Sequence, residues 1–130
     1  MKIIDDNQTT IAYILRKKDI SKGKNFLTHN SEEMQFASFG LEKNEVIRNH
    51  IHNTSKREIN STSEGIVVID GVLKIKLFDN ERNFISDHIL NSGDSILLLS
   101  GGHGIEVVEE TKFIEFKQGP YIEALDKEIF

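Results

Sequence analysis

The chain has 130 residues, 16 Lys and Arg against 21 Asp and Glu, a formal net charge of −5, and no cysteine. That excludes disulfides, thiol chemistry and any cysteine zinc site, and the acidic balance argues against a protein that tracks nucleic-acid phosphates. No apolar run approaches the roughly 20 residues of a membrane helix. With 38% hydrophobic and 28% charged residues, the composition is that of one soluble globular domain over 1–130. The opening Met-Lys-Ile-Ile-Asp-Asp carries no signal-peptide core, so a cytoplasmic location is expected. Any metal or catalytic chemistry falls to carboxylates, lysines and five histidines.

Short β-branched and aromatic runs, broken by Gly, Asn, Asp and Ser, predict an all-β sandwich or barrel. In chain order they are Thr10–Arg16, Asn25–Thr28, Met34–Phe39, Glu45–His52, Glu64–Asp70, Val72–Phe78, Phe84–Leu90, Ser95–Leu99, His103–Val108 and Thr111–Lys117. Residues 1–39 supply N-terminal strands, 40–117 the core, and 118–130 a tail. Within the tail, Ile122, Leu125 and Ile129 recur at helical spacing, which predicts a short helix or turn.

Asp70-Gly71 has the composition of a two-residue hairpin turn, which needs positive φ at both positions. Such a turn pairs Ile69 with Val72, Ile66 with Ile75 and Glu64 with Leu77. Lys74 and Lys76 then point outward, while Leu73, Ile75, Leu77, Val68, Ile66 and Glu64 point inward. An inward carboxylate is costly unless something compensates it, and a metal ion is one candidate. A second turn at Glu109-Glu110 would turn Ile114 and Phe116 inward and Lys117 outward. Val67 and Ile69 need cover on the other face, from the N-terminal strands or a second subunit, so a homodimer is expected.

His50 and His52 stand two apart in Arg48-Asn49-His50-Ile51-His52, which on a strand puts both on one face with Arg48. Arg48 suits a substrate carboxylate or phosphate, and equally an ion pair at the barrel mouth. His103 follows a glycine turn and shares a face with Ile105 and Val107. Lys56 and Arg57 fall in a long segment after His52, a lid or a solvated loop. His29 and His88 read as structural, His88 on an exposed or interface face. Tyr13, Phe36 and Phe39 read as core or interface residues. Three histidines and one inward carboxylate make a mixed nitrogen and oxygen set that suits Fe, Mn, Ni, Zn or Cu.

From Gly40 to Lys127 the sequence resembles the cupin family. His50-Ile51-His52 matches the first motif, Glu64 through Gly71 the carboxylate motif, and Gly93-Asp94 through Gly101-Gly102-His103-Gly104 the last. The resemblance implies a double-stranded β-helix, a jelly-roll barrel, holding one divalent transition metal ion on His50, His52, Glu64 and His103. Eleven residues separate His52 from Glu64, more than the motif usually allows, and Glu58 lies nearer as an alternative ligand. The run Glu115-Phe116-Lys117-Gln118-Gly119-Pro120-Tyr121, with Asp126-Lys127, resembles small single-domain cupins associated with surface-polysaccharide or nucleotide-sugar biosynthesis.

Two functions follow from the resemblance. One is a metal-dependent isomerase or epimerase of a small polar metabolite such as a sugar or sugar phosphate, with a metal-dependent dioxygenase as a lesser variant. The other is a non-catalytic cupin that holds such a ligand as a sensor or pathway partner. No second carboxylate or tyrosine can be assigned from sequence as acid and base.

Overall fold

The computed structural model describes all 130 residues and is all-β apart from a 3-10 turn at Lys17–Asp19 and one α-helical turn near the end. Its strands are β1 (Lys2–Ile4), β2 (Thr10–Leu15), β3 (Gly23–Phe26), β4 (Ala37–Gly40), β5 (Glu64–Phe78), β6 (Phe84–Asn91), β7 (Ser95–Leu98) and β8 (Gly102–Lys117), followed by α1 (Glu123–Asp126). Six strands form one antiparallel sheet in the order β1-β2-β7-β5-β6, with β8 on the remaining side of β5. β3 and β4 form a separate two-stranded sheet. The sheet does not close: β1, β6 and β8 each pair on one side only. No helix is long and apolar enough to cross a membrane.

β5 is the organising strand. Its first part, Glu64–Val67, pairs with β7, its second, Val72–Phe78, with β6, and β8 follows both. The Asp70-Gly71 hairpin is therefore not formed. The chain runs on through these residues, and the register against β8 shifts three times between Val68 and Leu73. Bulges of this kind bend a strand and increase its twist.

Hairpin and bulge nonetheless sort the faces alike, because each reverses the alternation once. Ile66, Val68, Leu73, Ile75 and Leu77 are all fully buried, in one cluster with Ile11, Ile14, Leu90 and Ile96. On β8 the alternation is not reversed. Lys117 lies opposite Glu64 on the core side, while Ile114 and Phe116 lie opposite Val67 and Gly65 on the outer side. The Glu109-Glu110 turn is thus replaced by continuous strand, and the expected directions of Ile114, Phe116 and Lys117 are reversed. The irregularity sits instead at Gly71, whose φ is +89°.

Glycine is required there twice over. An added Cβ would stand 2.1 Å from the Glu110 carbonyl oxygen, besides adopting a positive φ. Thr111 fills the gap in the ladder. Its hydroxyl accepts from the Val72 N–H at 2.9 Å and donates toward the Glu109 carbonyl at 2.6 Å. The bend is thereby fixed by backbone and side-chain bonds together.

A second cluster, Tyr13, Leu97 and Leu99, packs against Leu27, Met34 and Phe36 in and beside the β3–β4 connection. Tyr13 is buried in this core and Phe36, half-buried, packs against it, while Phe39 is 46% exposed. His88 lies opposite the buried Ile75, half-buried on the core side, and its ring bonds to the Ser86 hydroxyl at 2.9 Å. Burial first, and the nearby Arg16 charge second, hold its pKa below the usual histidine value.

Asp94, 6% exposed, ties the first strands to the sheet. It accepts from the Lys17 N–H at 2.9 Å, the Asn91 N–H at 3.0 Å and the Arg16 guanidinium at 2.9 Å. Burial pushes its pKa up, but these donors outweigh burial and leave it below the usual aspartate value.

The predicted strand Glu45–His52 is absent. Residues 41–63 have no regular secondary structure and are almost wholly exposed. Strand-forming residues hold a strand only against a neighbouring strand, and here none lies alongside.

Two outcomes are expected. Gly71→Ala should destabilise the fold by about 2 kcal/mol or more, seen as a lower urea midpoint. Because Asp94 has a depressed pKa in the fold, its contribution is complete above the unfolded value near 4 and is lost as pH falls through the folded one. The stability gap between the wild type and Asp94→Asn should therefore narrow between about pH 4 and pH 2 in urea titrations.

Candidate functional site

The bent β5–β8 ribbon brings its own ends together. Glu64 opens β5, and His103 and Lys117 lie near the two ends of β8, all three on the core side. The His103 Nε2 stands 3.4 Å from Glu64 Oε1, and the Lys117 ammonium 4.0 Å from Glu64 Oε2. The site thus depends on the bend: a straight ribbon would hold Glu64 and His103 many residues apart.

Lys117 is surrounded by acids. Its ammonium donates to Asp126 Oδ2 at 3.0 Å, lies 3.5 Å from Glu115, and sits over the Tyr121 ring at 4.8 Å from the centroid. The Asp126 contact chiefly raises its pKa above the usual lysine value; burial opposes this, and the charges of Asp126, Glu115 and Glu64 assist. Glu64 is held below the usual glutamate value, first by its contact with His103, with burial opposing and the charges of His103, Lys117 and Lys127 assisting. The carboxylate is ionised and has a positively charged neighbour on one oxygen.

These groups line a cleft of about 990 Å³ that the C-terminal tail helps to wall. Phe130 meets Phe78 edge to face at 5.2 Å, and Glu128 pairs with Arg82 at 2.7 Å. The tail lies so close to the Gly102 backbone that a Cβ there would stand 2.6 Å from the Phe130 ring. The lining combines charged side chains with the rings of Phe78, Tyr121 and Phe130, a mixture that suits a small ligand carrying both hydroxyls and C–H surface.

The other expected site residues lie elsewhere. Arg48, His50, His52 and Glu58 are exposed within the irregular segment 41–63. The His50 and His52 rings are near each other, 5.2 Å between centroids, and His50 Nδ1 bonds to the Arg48 carbonyl at 2.9 Å. The structure therefore brings the four expected ligands together as two pairs, His50 with His52 and Glu64 with His103. No three His, Asp or Glu side chains are grouped to hold a metal ion. Glu64 and His103 have suitable donor chemistry, but the four-donor set the resemblance implies is not assembled in this arrangement, and Lys117 attends the second oxygen of Glu64.

Of the two carboxylates, Glu64 faces His103, and Glu58 has no such partner. Lys117 belongs to the site although the alternation expected from sequence turned it outward. Asp126 and Tyr121 join it through the tail. The signal for these three was the run from Glu115 to Tyr121 with Asp126, set beside a strand that carries no net reversal.

Comparison with protein-family models, curated proteins and solved structures finds no match to this chain.

Asp126→Ala should free the tail while leaving the sheet intact. Amide exchange in residues 119–130 should accelerate, with a loss of global stability of about 1 kcal/mol or less, as for a partly exposed ion pair.

Proposed function

We propose that this chain is a cupin-type protein, a jelly-roll barrel in its closed form, that acts on a small polar metabolite such as a sugar or sugar phosphate. The observation that carries the proposal is the contact of Glu64 with His103 in the lining of a cleft. A carboxylate and an imidazole side by side can accept and return a proton, and imidazole does so near neutral pH. That suits isomerisation or epimerisation beside a carbonyl, in which a proton leaves one carbon and returns to the same or a neighbouring centre. His103 chiefly, with Lys117 assisting, keeps Glu64 anionic, and Lys117 presents a cation toward developing negative charge on the ligand. Tyr121 offers an aromatic face and a hydroxyl at the wall.

A divalent transition metal (Fe, Mn, Ni, Zn or Cu) belongs to the proposal on condition that His50 and His52 join Glu64 and His103, and it would then supply Lewis acidity. Arg48, carried on the same segment, would meet an anionic group of the ligand. The partners proposed are a small molecule and a second copy of the chain, with a cytoplasmic setting. Ile69, Ile114 and Phe116, exposed by 53%, 56% and 43% on one outer face, support the second copy. Binding without catalysis is the second reading. The pairing of the cleft's own charges, Lys117 with Asp126 and Arg82 with Glu128, favours it, because such charges position a ligand more readily than they react.

The test is elemental analysis of the purified protein after equilibration with each divalent metal, beside His50→Ala and Glu64→Ala. The metal reading expects about one ion per chain in the wild type and loss in both variants, since each removes a ligand. Equal metal content in all three proteins overturns the site. Absence of metal in the wild type, with sugar-phosphate binding lost in Glu64→Ala, leaves the metal-free acid–base pair.

A further inference from the structure

We infer that a second groove, between the end of β2 and the free edge of β6, binds a phosphate-bearing small molecule through Arg16, Lys17, Lys18 and His88. The inference does not rest on the chemistry proposed for the Glu64 cleft, with which this groove shares no lining residue.

The groove has a volume of about 840 Å³, and Ile89 is the only hydrophobic residue of its lining. Arg16-Lys17-Lys18 brings three cations in a row to it, in a chain whose net charge is −5. The acids that share the groove are already engaged. Asp94 is buried and accepts from the Arg16 guanidinium, the Lys17 N–H and the Asn91 N–H. Asp87 lies opposite Lys76 in the β5–β6 register, and its charge acts on the Lys74 ammonium. Lys17 and Lys18 form no ion pair. A cleft lined by uncompensated charge of one sign concentrates ligands of the other.

Two of the cations are held in place. Arg16 engages only Nη1, on Asp94 at 2.9 Å and on the Ile89 carbonyl, so Nη2 and Nε have no protein partner. A guanidinium with such donors free takes a phosphate through two parallel hydrogen bonds. The Lys17 stem lies across Gly93, where a Cβ would stand 2.5 Å from Lys17 Cδ, and the Lys17 N–H is tied to Asp94. His88 shares Nε2 with the Ser86 hydroxyl and has no partner on Nδ1. A phosphate monoester carries a charge of about −1.5 to −2 and roughly three acceptor oxygens, enough to meet an arginine and two lysines together. The volume is that of a small-molecule site and leaves room for the body that bears the phosphate.

His88 reports occupancy. Burial and the Arg16 charge keep it neutral in the empty groove, against the opposing charge of Asp87. Lys17, Lys18 and Asp94 line the same space, while Lys74 and Lys76 of β5 lie on the opposite face. A bound dianion offsets the repulsion from Arg16 and favours the imidazolium.

The test follows the His88 ring by NMR as inorganic phosphate, or sodium chloride at matched ionic strength, is added to the full chain. Phosphate should shift the ring signals saturably and raise the pH midpoint of His88, and chloride should do neither. Lys17→Ala combined with Lys18→Ala should weaken phosphate binding about 10-fold, as expected for two exposed charge contacts. Should the double variant be poorly folded, Lys18→Gln alone makes the same comparison with a smaller loss. Lys117→Gln should leave binding at His88 unchanged. Equal responses to phosphate and chloride signify screening alone and overturn the inference. So does phosphate affinity that survives loss of both lysines but falls in Lys117→Gln, which would put the anion in the Glu64 cleft; the two proposals therefore fail separately. Sedimentation with phosphatidylglycerol vesicles, without a saturable response to free phosphate, also overturns it, in favour of a membrane surface.

Discussion

The bend of the β5–β8 ribbon at Gly71 and Thr111 is the constraint on which the rest of the structure depends. A fifteen-residue strand must change partners from β7 to β6 without losing its ladder to β8. Three register shifts, one positive φ and one threonine hydroxyl bonded to the Val72 backbone make that possible. Strand twist alone would not bring Glu64 to within 3.4 Å of His103, because those residues lie at opposite ends of the paired strands. The same bend folds Ile66 and Val68 over Leu73, Ile75 and Leu77, so the core and the cleft come from one local irregularity.

Electrostatics in the cleft follow from its position at the edge of that core. Glu64 is partly desolvated, which disfavours its charge, but His103 and Lys117 more than restore it. Lys117 in turn is shared among Glu64, Glu115 and Asp126, a short chain of alternating charge that also secures the tail. Asp94 has the comparable structural role in the turn between β6 and β7, where three donors converge on one buried carboxylate. In both places a buried acid is tolerated because donors converge on it, for Asp94 the local Asn91 N–H together with Arg16 and Lys17 from a segment distant in sequence.

Much of the fold was legible in the sequence. Alternation placed Ile66, Val68, Leu73, Ile75 and Leu77 in the core, and all five are there. Glycine at 71 marked a special backbone conformation, correctly, but could not distinguish a hairpin from a bulge. A type I′ hairpin and a glycine-type bulge both use positive φ, and both reverse the alternation once. The reversal expected at Glu109-Glu110 failed for the related reason that an acidic pair carries no turn chemistry of its own. Lys117 was thereby misplaced by one face, and with it the composition of the site.

The sequence by itself determined the class of the fold, the core face of β5 and the choice of Glu64 and His103 as inward groups, because side-chain alternation is a local property of strands. Only the tertiary structure decided that the two meet, that Lys117, Asp126 and Tyr121 attend them, and that His50 and His52 stand apart in segment 41–63. Those relations depend on how a strand bends and which edge pairs with which. Both are settled by long-range hydrogen bonding and burial, and the spacing of residues along the chain does not encode them.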